Sequence, residues 1–153
     1  MHEILGDAGR TCYILSHRAV RALEQRGTVM SISRGFIVMG AVYLVVGILF
    51  GAYMGGSGDH TLAPVHAHIN LLGFTLMTVF GIGYRVVPGL AEGTLPRLHF
   101  WLHQVGALLL LLGLFLMMTG RVAEATIGPV FPVLEGAILL GAVLWLVAVL
   151  RHA

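Results

Sequence analysis

Four long apolar stretches divide this chain, and most polar residues lie between them. The stretches run over Ile32 to Tyr53, Pro64 to Tyr84, Pro96 to Thr119 and Val130 to Leu150. Each can cross a hydrocarbon core about 30 Å thick, which takes about 20 residues of helix. Lipid leaves no partner for unpaired backbone groups, and no stretch alternates with the period of a strand. The pattern predicts an all-α fold, a four-helix transmembrane bundle in residues 31–153.

The composition agrees with a chain embedded in a lipid bilayer. Of its 153 residues 58% are hydrophobic and 10% are charged, which is outside the range of ordinary soluble domains. No nucleic-acid motif is present, so no nucleic-acid partner is predicted. Transport is not favoured either, since few polar residues line the stretches and no internal repeat is apparent.

The positions of the arginines predict the orientation in the membrane. All nine basic residues are arginine. Eight of them lie before or at the start of the first stretch, between the second stretch and the start of the third, or at the C-terminus, and the ninth is Arg121. Positive charge is retained on the inner side. We therefore expect both termini to be cytoplasmic, in a multi-pass protein of a bacterial-type inner (cytoplasmic) membrane.

Residues 1–30 form a separate N-terminal cytoplasmic segment. Arg10 to Arg26 could be a basic amphipathic helix that lies on the inner leaflet, or the segment could be an upstream extension, because Met30 also reads as a chain start. Cys12 is the single cysteine, so no intrachain disulfide can form.

The second stretch carries the most distinctive polar residues. His66 and His68 lie close to its outer end, and two residues along a helix turn side chains about 200° apart. The pair cannot readily chelate one ion but can bind two different groups. Asn70 follows His66 by four residues and shares its face, where it could bond to that histidine or to a ligand.

Three further residues are candidates in the other stretches. His99 and His103 are spaced to share one helix face, either as a zinc or copper site or with His99 at the membrane interface and His103 in an interhelical hydrogen bond. Counting residues separates His103 from His68 by about 14 Å along the membrane normal. Glu135 is predicted to be buried near the depth of His68, as a functional carboxylate or a protonated hydrogen-bonding group. Neutral imidazole binds haem iron, and a hydrophobic four-helix bundle suits haem.

The segments His66 to Phe74, Tyr84 to Pro88 and His99 to Leu102 resemble a known family. They resemble the tenth and eleventh helices of subunit I of the haem-copper oxidases, most closely the C-type cytochrome c oxidases, and a group of small four-helix subunit I-like proteins. The resemblance covers Ile32 to Leu150. It implies haem b, one or two per chain or shared between chains, with His66 matching a high-spin ligand and His68 a low-spin ligand.

The resemblance is incomplete. The family's second-helix histidine and its copper-binding histidines have no counterparts here, so copper is not expected and one copy cannot form an oxygen-reducing centre. Any activity as an oxidoreductase of that type stays open. The missing haem ligand would come from another copy, from an outer residue such as His60 or Met54, or be absent. Arg121, by position alone, could pair with haem propionates.

These expectations define two functions. The first is a haem b membrane protein for electron transfer or for binding a diatomic gas, O2 or NO, as a homo-oligomer supplied by a respiratory electron donor. The second is a non-catalytic structural or assembly module of a respiratory complex, in which the histidines serve as hydrogen-bonding groups.

Overall fold

A computed structural model describes the backbone of residues 2–152 and the side chains of residues 31–152, together with those of Val20 and Leu23. The described residues contain no strand. The helices are α1 (His2–Ser57), α2 (Ala63–His68), a π-helix (Ile69–Thr75), α3 (Leu76–Val86), α4 (Leu95–Met118), α5 (Glu124–Ile127), a 3-10 turn (Gly128–Val130) and α6 (Phe131–His152).

Helix α1 is longer than the apolar pattern predicts. It continues without a break from the N-terminal segment into the first apolar stretch, whereas the sequence predicted a separate element before residue 31. The side chains on which the amphipathic interpretation of Arg10 to Arg26 depends, and that of Cys12, lie outside the described residues.

Four helical segments can span a membrane, which confirms the predicted number. They are Ser31–Ser57, Ala63–Val86, Leu95–Met118 and Glu124–His152, with 27, 24, 24 and 29 residues. At 1.5 Å per residue each exceeds the thickness of about 30 Å that a hydrocarbon core requires. We call them the first to fourth spanning segments.

The spanning segments pack as two pairs. The first segment lies along the second, and α4 lies along α6, while α1 and α4 make few contacts with each other. Glycines of α1 allow the first pair to approach closely. A Cβ at Gly40 would lie 3.0 Å from the Thr78 hydroxyl, and one at Gly51 would lie 3.1 Å from the His66 ring. This glycine face therefore packs within the chain.

Aromatic side chains form the core toward the end of the bundle that holds the connection between α3 and α4. Phe36 of α1 is fully buried and contacts the rings of Phe80, Tyr84, His99 and Phe100, with centroids 5.0 to 5.9 Å apart. The rings from three spanning segments hold the two pairs together.

The connection between the first two spanning segments is ordered by polar bonds. Gly58 adopts a left-handed φ of 70°, which glycine tolerates without strain. The Thr61 hydroxyl and backbone N–H both donate to the Asp59 carboxylate, at 2.6 and 2.9 Å, and these bonds lower the pKa of Asp59. The turn leads directly into Pro64, near the start of α2.

Candidate polar site

The His66 imidazole joins the first two spanning segments. Its Nδ1 lies 2.9 Å from the carbonyl oxygen of Gly47 in α1. A carbonyl can only accept, so Nδ1 carries the hydrogen and Nε2 keeps its lone pair. The half-buried ring is also packed against Gly51. Its position between two helices is thus fixed from both sides.

Asn70 supports this histidine, as the four-residue spacing predicted. Its Nδ2 donates to the His66 carbonyl oxygen at 2.9 Å and lies 3.3 Å from Nε2 of the same residue. A Cβ at Gly47 would lie 2.6 Å from the Asn70 side-chain oxygen, too close for a real contact. Gly47 therefore accepts the histidine bond and leaves room for the amide.

His68 has a different environment. Its Nδ1 lies 2.8 Å from the Pro64 carbonyl oxygen in the preceding turn of its own helix, so Nδ1 again donates and Nε2 again has the lone pair. No hydrogen-bond partner of this Nε2 is found among the described residues, and the side chain is half-buried. His66 thus bonds to a neighbouring helix and His68 to its own.

The segment after His68 is a π-helix, which the sequence did not predict. Two of its carbonyls accept side-chain hydrogen bonds: the Thr75 hydroxyl donates to Asn70 at 2.9 Å, and His103 Nε2 donates to Leu72 at 2.8 Å. Gly73 lies in the middle, with the Tyr43 ring against its backbone where any Cβ would overlap. A π-helical turn often accompanies a functional site. The sequence feature that could have indicated this π-helix is Gly73, a glycine in an apolar helix close to Asn70 and Thr75.

His99 and His103 are both fully buried. Phe36, Phe80 and Gly141 enclose the His99 ring, and its location at the membrane interface stays a prediction. The alternative for His103 is confirmed by its interhelical bond to Leu72. Since Leu72 follows His68 by four residues, the His103 ring contacts the backbone about one helical turn after His68.

His99 and His103 each have one ring nitrogen with a partner and one without. His99 Nδ1 lies 2.8 Å from the Tyr84 hydroxyl, while His99 Nε2 and His103 Nδ1 have no partner among the described residues. The two ring centroids are 6.2 Å apart. Such buried unpaired atoms are uncommon and costly. The predicted zinc or copper site at these histidines stays a prediction.

Tyr43 and Gln104 form a second buried polar pair, which sequence reasoning missed. The amide of Gln104 donates from Nε2 to the Tyr43 hydroxyl at 3.2 Å, between α4 and α1. Both side chains are less than one-tenth exposed. A tyrosine and a glutamine within long apolar stretches were the available signal.

The remaining predicted residues do not join the histidines. Glu135 was expected to be buried at the depth of His68, but its side chain is exposed on the outside of α6. The predicted burial is therefore wrong for a single chain. It failed because α6 is otherwise apolar on all sides, so that no polar face indicated its rotation. Arg121 and His60 are exposed in the connections, with His60 Nδ1 donating to Gly58.

No group of three or more histidine, cysteine, aspartate or glutamate side chains comes together for a metal ion within the described part of the chain. Comparisons with models of protein families, with curated proteins and with solved structures found no match. What this site can bind is therefore inferred from its own geometry.

Proposed function

We propose that this chain is a haem b-binding integral membrane protein and that His68 is an axial ligand. The observation that carries the proposal is the hydrogen bond from His68 Nδ1 to the Pro64 carbonyl at 2.8 Å. It fixes the tautomer whose Nε2 lone pair can bind iron and it orients the ring, as carbonyl bonds do for ligating histidines. His68 is half-buried, so the bundle does not fully enclose its ring.

His66 fits a ligand role less readily. Its tautomer is the same, but its Nε2 lies 3.3 Å from the Asn70 amide and its ring is packed against Gly51. An iron at this nitrogen would require the amide to move. We therefore assign His66 and Asn70 first to holding α1 against the second spanning segment, and a second haem at His66 is the lesser part of the proposal.

One chain supplies only part of a haem pocket. The described residues bring no group of three or more histidine, cysteine, aspartate or glutamate side chains together, and both Arg121 and Glu135 are exposed. A second copy of the chain could supply the opposite wall, and Arg121 is then available for a haem propionate. A haem iron would supply one-electron transfer or the binding of a diatomic gas.

The proposed location and orientation in the membrane rest on the arginines. The arginine distribution favours cytoplasmic termini in a bacterial-type inner membrane, and it then puts His68 in the outer leaflet. A respiratory electron donor on the outer side of the membrane suits that placement. Whether the iron has one or two protein ligands decides between gas binding and electron transfer, because carbon monoxide binds only where a position is open.

The histidine series tests the ligand assignment. His68→Ala should remove or strongly alter the Soret band, whereas His66→Ala should change it less and lower stability more. His152→Ala is the matched control, since this exposed histidine also donates from Nδ1 to the carbonyl four residues before it, at 2.9 Å from Ala148, and is not a candidate ligand. A Soret band that all three variants leave unchanged would overturn the assignment of His68.

A structural or assembly module is the second candidate. The use of His66, Asn70, His99 and His103 in hydrogen bonds within the bundle favours it. Its signature is normal folding and copurification with other membrane subunits without haem. Isolation as a haem-loaded homo-oligomer would count against it.

A further inference from the structure

A pocket lies beside α1 on the outside of the bundle, near the start of α4. It encloses about 590 Å³, which is within the range of small-molecule sites. Its lining comes from one side of α1, at the three- to four-residue spacing of a single helix face, and from Phe100 of α4. No described histidine lines the pocket, so it is separate from the proposed haem ligands.

The pocket crosses one end of the first spanning segment. Gly27 precedes that segment and Ser31 begins it, while Val38 lies about 10 Å farther along the helix. Arg34 is between them, about 5 Å from the start of the segment. The pocket therefore has a polar end at the depth of lipid headgroups and an apolar end at the depth of acyl chains.

Arg34 supplies the charge at the polar end. Its side chain is exposed, and it has no hydrogen bond or ion pair with any described residue. A guanidinium is planar and donates two parallel hydrogen bonds to a phosphate. The exposed Ser31 hydroxyl lies one turn before Arg34 on the same side of α1 and is a second donor. The polar end thus suits an anion with several oxygen atoms.

An aromatic wall forms the apolar end. Phe100 lies against α1 at Gly35, where a Cβ would be 3.4 Å from the ring. The Phe100 ring also contacts the buried Phe36, with centroids 5.0 Å apart, so it is held in place by the core. Val38, which is 50% exposed, and Met39 complete this end. These side chains offer a fixed surface to a hydrocarbon chain.

We propose that this pocket binds an anionic phospholipid, with its phosphate on Arg34 and Ser31 and an acyl chain along Val38 and Phe100. Basic pockets beside spanning helices on the cytoplasmic side bind headgroups of this kind. The arginine distribution favours the inner leaflet for this end of the bundle, where anionic lipids give the surface its negative potential.

Other molecules satisfy fewer of these features. Phosphatidylcholine has the same acyl chains, but its choline cation offsets the phosphate charge, so it gains less from Arg34. Free phosphate would make the polar contacts and leave the apolar end empty. A fatty acid has no headgroup beyond its carboxylate, whereas Gly27, with nothing within 4 Å of its Cβ position, leaves space beside the polar end.

The test measures lipid binding to the full chain, purified in detergent, by native mass spectrometry. The probe is dioleoyl phosphatidylglycerol, and dioleoyl phosphatidylcholine has matched chains. Arg34→Gln should weaken phosphatidylglycerol binding about fivefold to tenfold, the effect of one arginine at an anionic surface. Arg151→Gln is the matched control, because it removes the same charge at the same end of the bundle from an exposed residue outside the lining.

A pocket-filling variant provides an independent arm. Val38→Trp should abolish binding of the tight lipid, because Val38 lines the pocket and its exposure leaves room for a larger side chain. Val45→Trp is the control on the same helix, 58% exposed and outside the lining, and should bind like the wild type. If Arg34→Gln fails to fold, this pair still decides whether the pocket holds the lipid.

The proposal is overturned if the wild type binds the two lipids equally, or if Val38→Trp keeps the wild-type affinity. Equal losses in Arg34→Gln and Arg151→Gln would also overturn it, since the effect would then be one of overall charge. Inorganic phosphate should not displace the lipid at equal concentration; displacement would mean a phosphate site instead. None of these outcomes depends on haem content, so they are distinguishable from a failure of the haem proposal.

Discussion

At the scale of single residues, backbone carbonyls select which imidazole nitrogen stays available. His66 and His68 both donate from Nδ1, to Gly47 and Pro64, so both keep a lone pair on Nε2. The surroundings of the two rings differ. Asn70 and Gly51 crowd His66, whereas His68 Nε2 has no partner among the described residues. His66 and His68 are thus two residues apart in the sequence but have different surroundings.

The close approach at Gly73 makes a prediction about stability. Gly73→Ala should destabilise the bundle by about 1 to 3 kcal/mol, because its Cβ would overlap the Tyr43 ring and force the helices apart. Gly136→Ala is the control, since nothing lies within 4 Å of its Cβ position in α6. Unfolding in detergent, followed by circular dichroism, measures both. Equal stability of the two variants would contradict the packing described.

The buried bond between Tyr84 and His99 makes a second prediction at this scale. Tyr84→Phe leaves both nitrogens of a fully buried His99 without a partner. We expect a loss of about 1 kcal/mol in the free energy of unfolding. Tyr53→Phe, at a side chain that is 56% exposed, should have little effect. A neutral Tyr84→Phe would mean that the hydroxyl contributes nothing to stability.

At the scale of elements, the π-helix Ile69–Thr75 connects His66 and His68 with the region where His103 packs. It begins directly after His68, and its Leu72 carbonyl accepts the bond from His103. Because a π-helix turns differently from an α-helix, it sets the rotation of His66 and His68 relative to α3. One stretch of backbone therefore joins His68 to the residue that His103 contacts.

Deletion of Leu71 tests this coupling. Removing one residue lets the segment return to α-helix, in which the Leu72 carbonyl can pair with the N–H four residues on and is no longer open to His103. We expect lower stability and a changed or lost haem spectrum. Leu71→Ala is the control, because this side chain is 55% exposed and its truncation leaves the backbone register intact. Retention of the wild-type spectrum by the deletion variant would show that the π-helix does not position His68.

Apolar length predicted the four spanning segments, since hydropathy needs no knowledge of the neighbours. Four-residue spacing likewise predicted the contact of Asn70 with His66. Burial could not be predicted in the same way. His99 is enclosed by rings from other helices, and Glu135 is exposed. The exposure of Glu135 could not be predicted, because the otherwise apolar α6 gives no signal of its rotation. Both depend on how helices face each other, which periodicity cannot show without a polar face.

At the scale of the whole molecule, the bundle consists of two helix pairs with a groove between α1 and α4. Most large apolar side chains of α6 face outward, as expected where lipid or another copy surrounds the helix. The glycine face of α1 is occupied by the second spanning segment, apart from Gly55, which has nothing near it. A homo-oligomer stays a prediction, and its interface would have to use another surface.

The orientation in the membrane can be tested with two single-cysteine variants in a Cys12→Ser background. Gly56→Cys lies at the end of α1 and Glu92→Cys lies in the connection between α3 and α4, and both positions are exposed. An impermeant maleimide should label Gly56→Cys in intact cells and Glu92→Cys only after permeabilisation, because the arginines favour a cytoplasmic second connection. The reverse labelling would put His68 in the inner leaflet and contradict the proposed topology.

Haem binding is the central claim for the molecule, and the haem content of the purified wild-type chain tests it most directly. An optical spectrum combined with a pyridine haemochrome assay, on protein from haem-replete cells, gives both the type and the amount of haem. We predict a Soret band and haem b in a simple ratio to the chain, between one per pair of chains and two per chain. A colourless, correctly folded preparation without haem would contradict the claim.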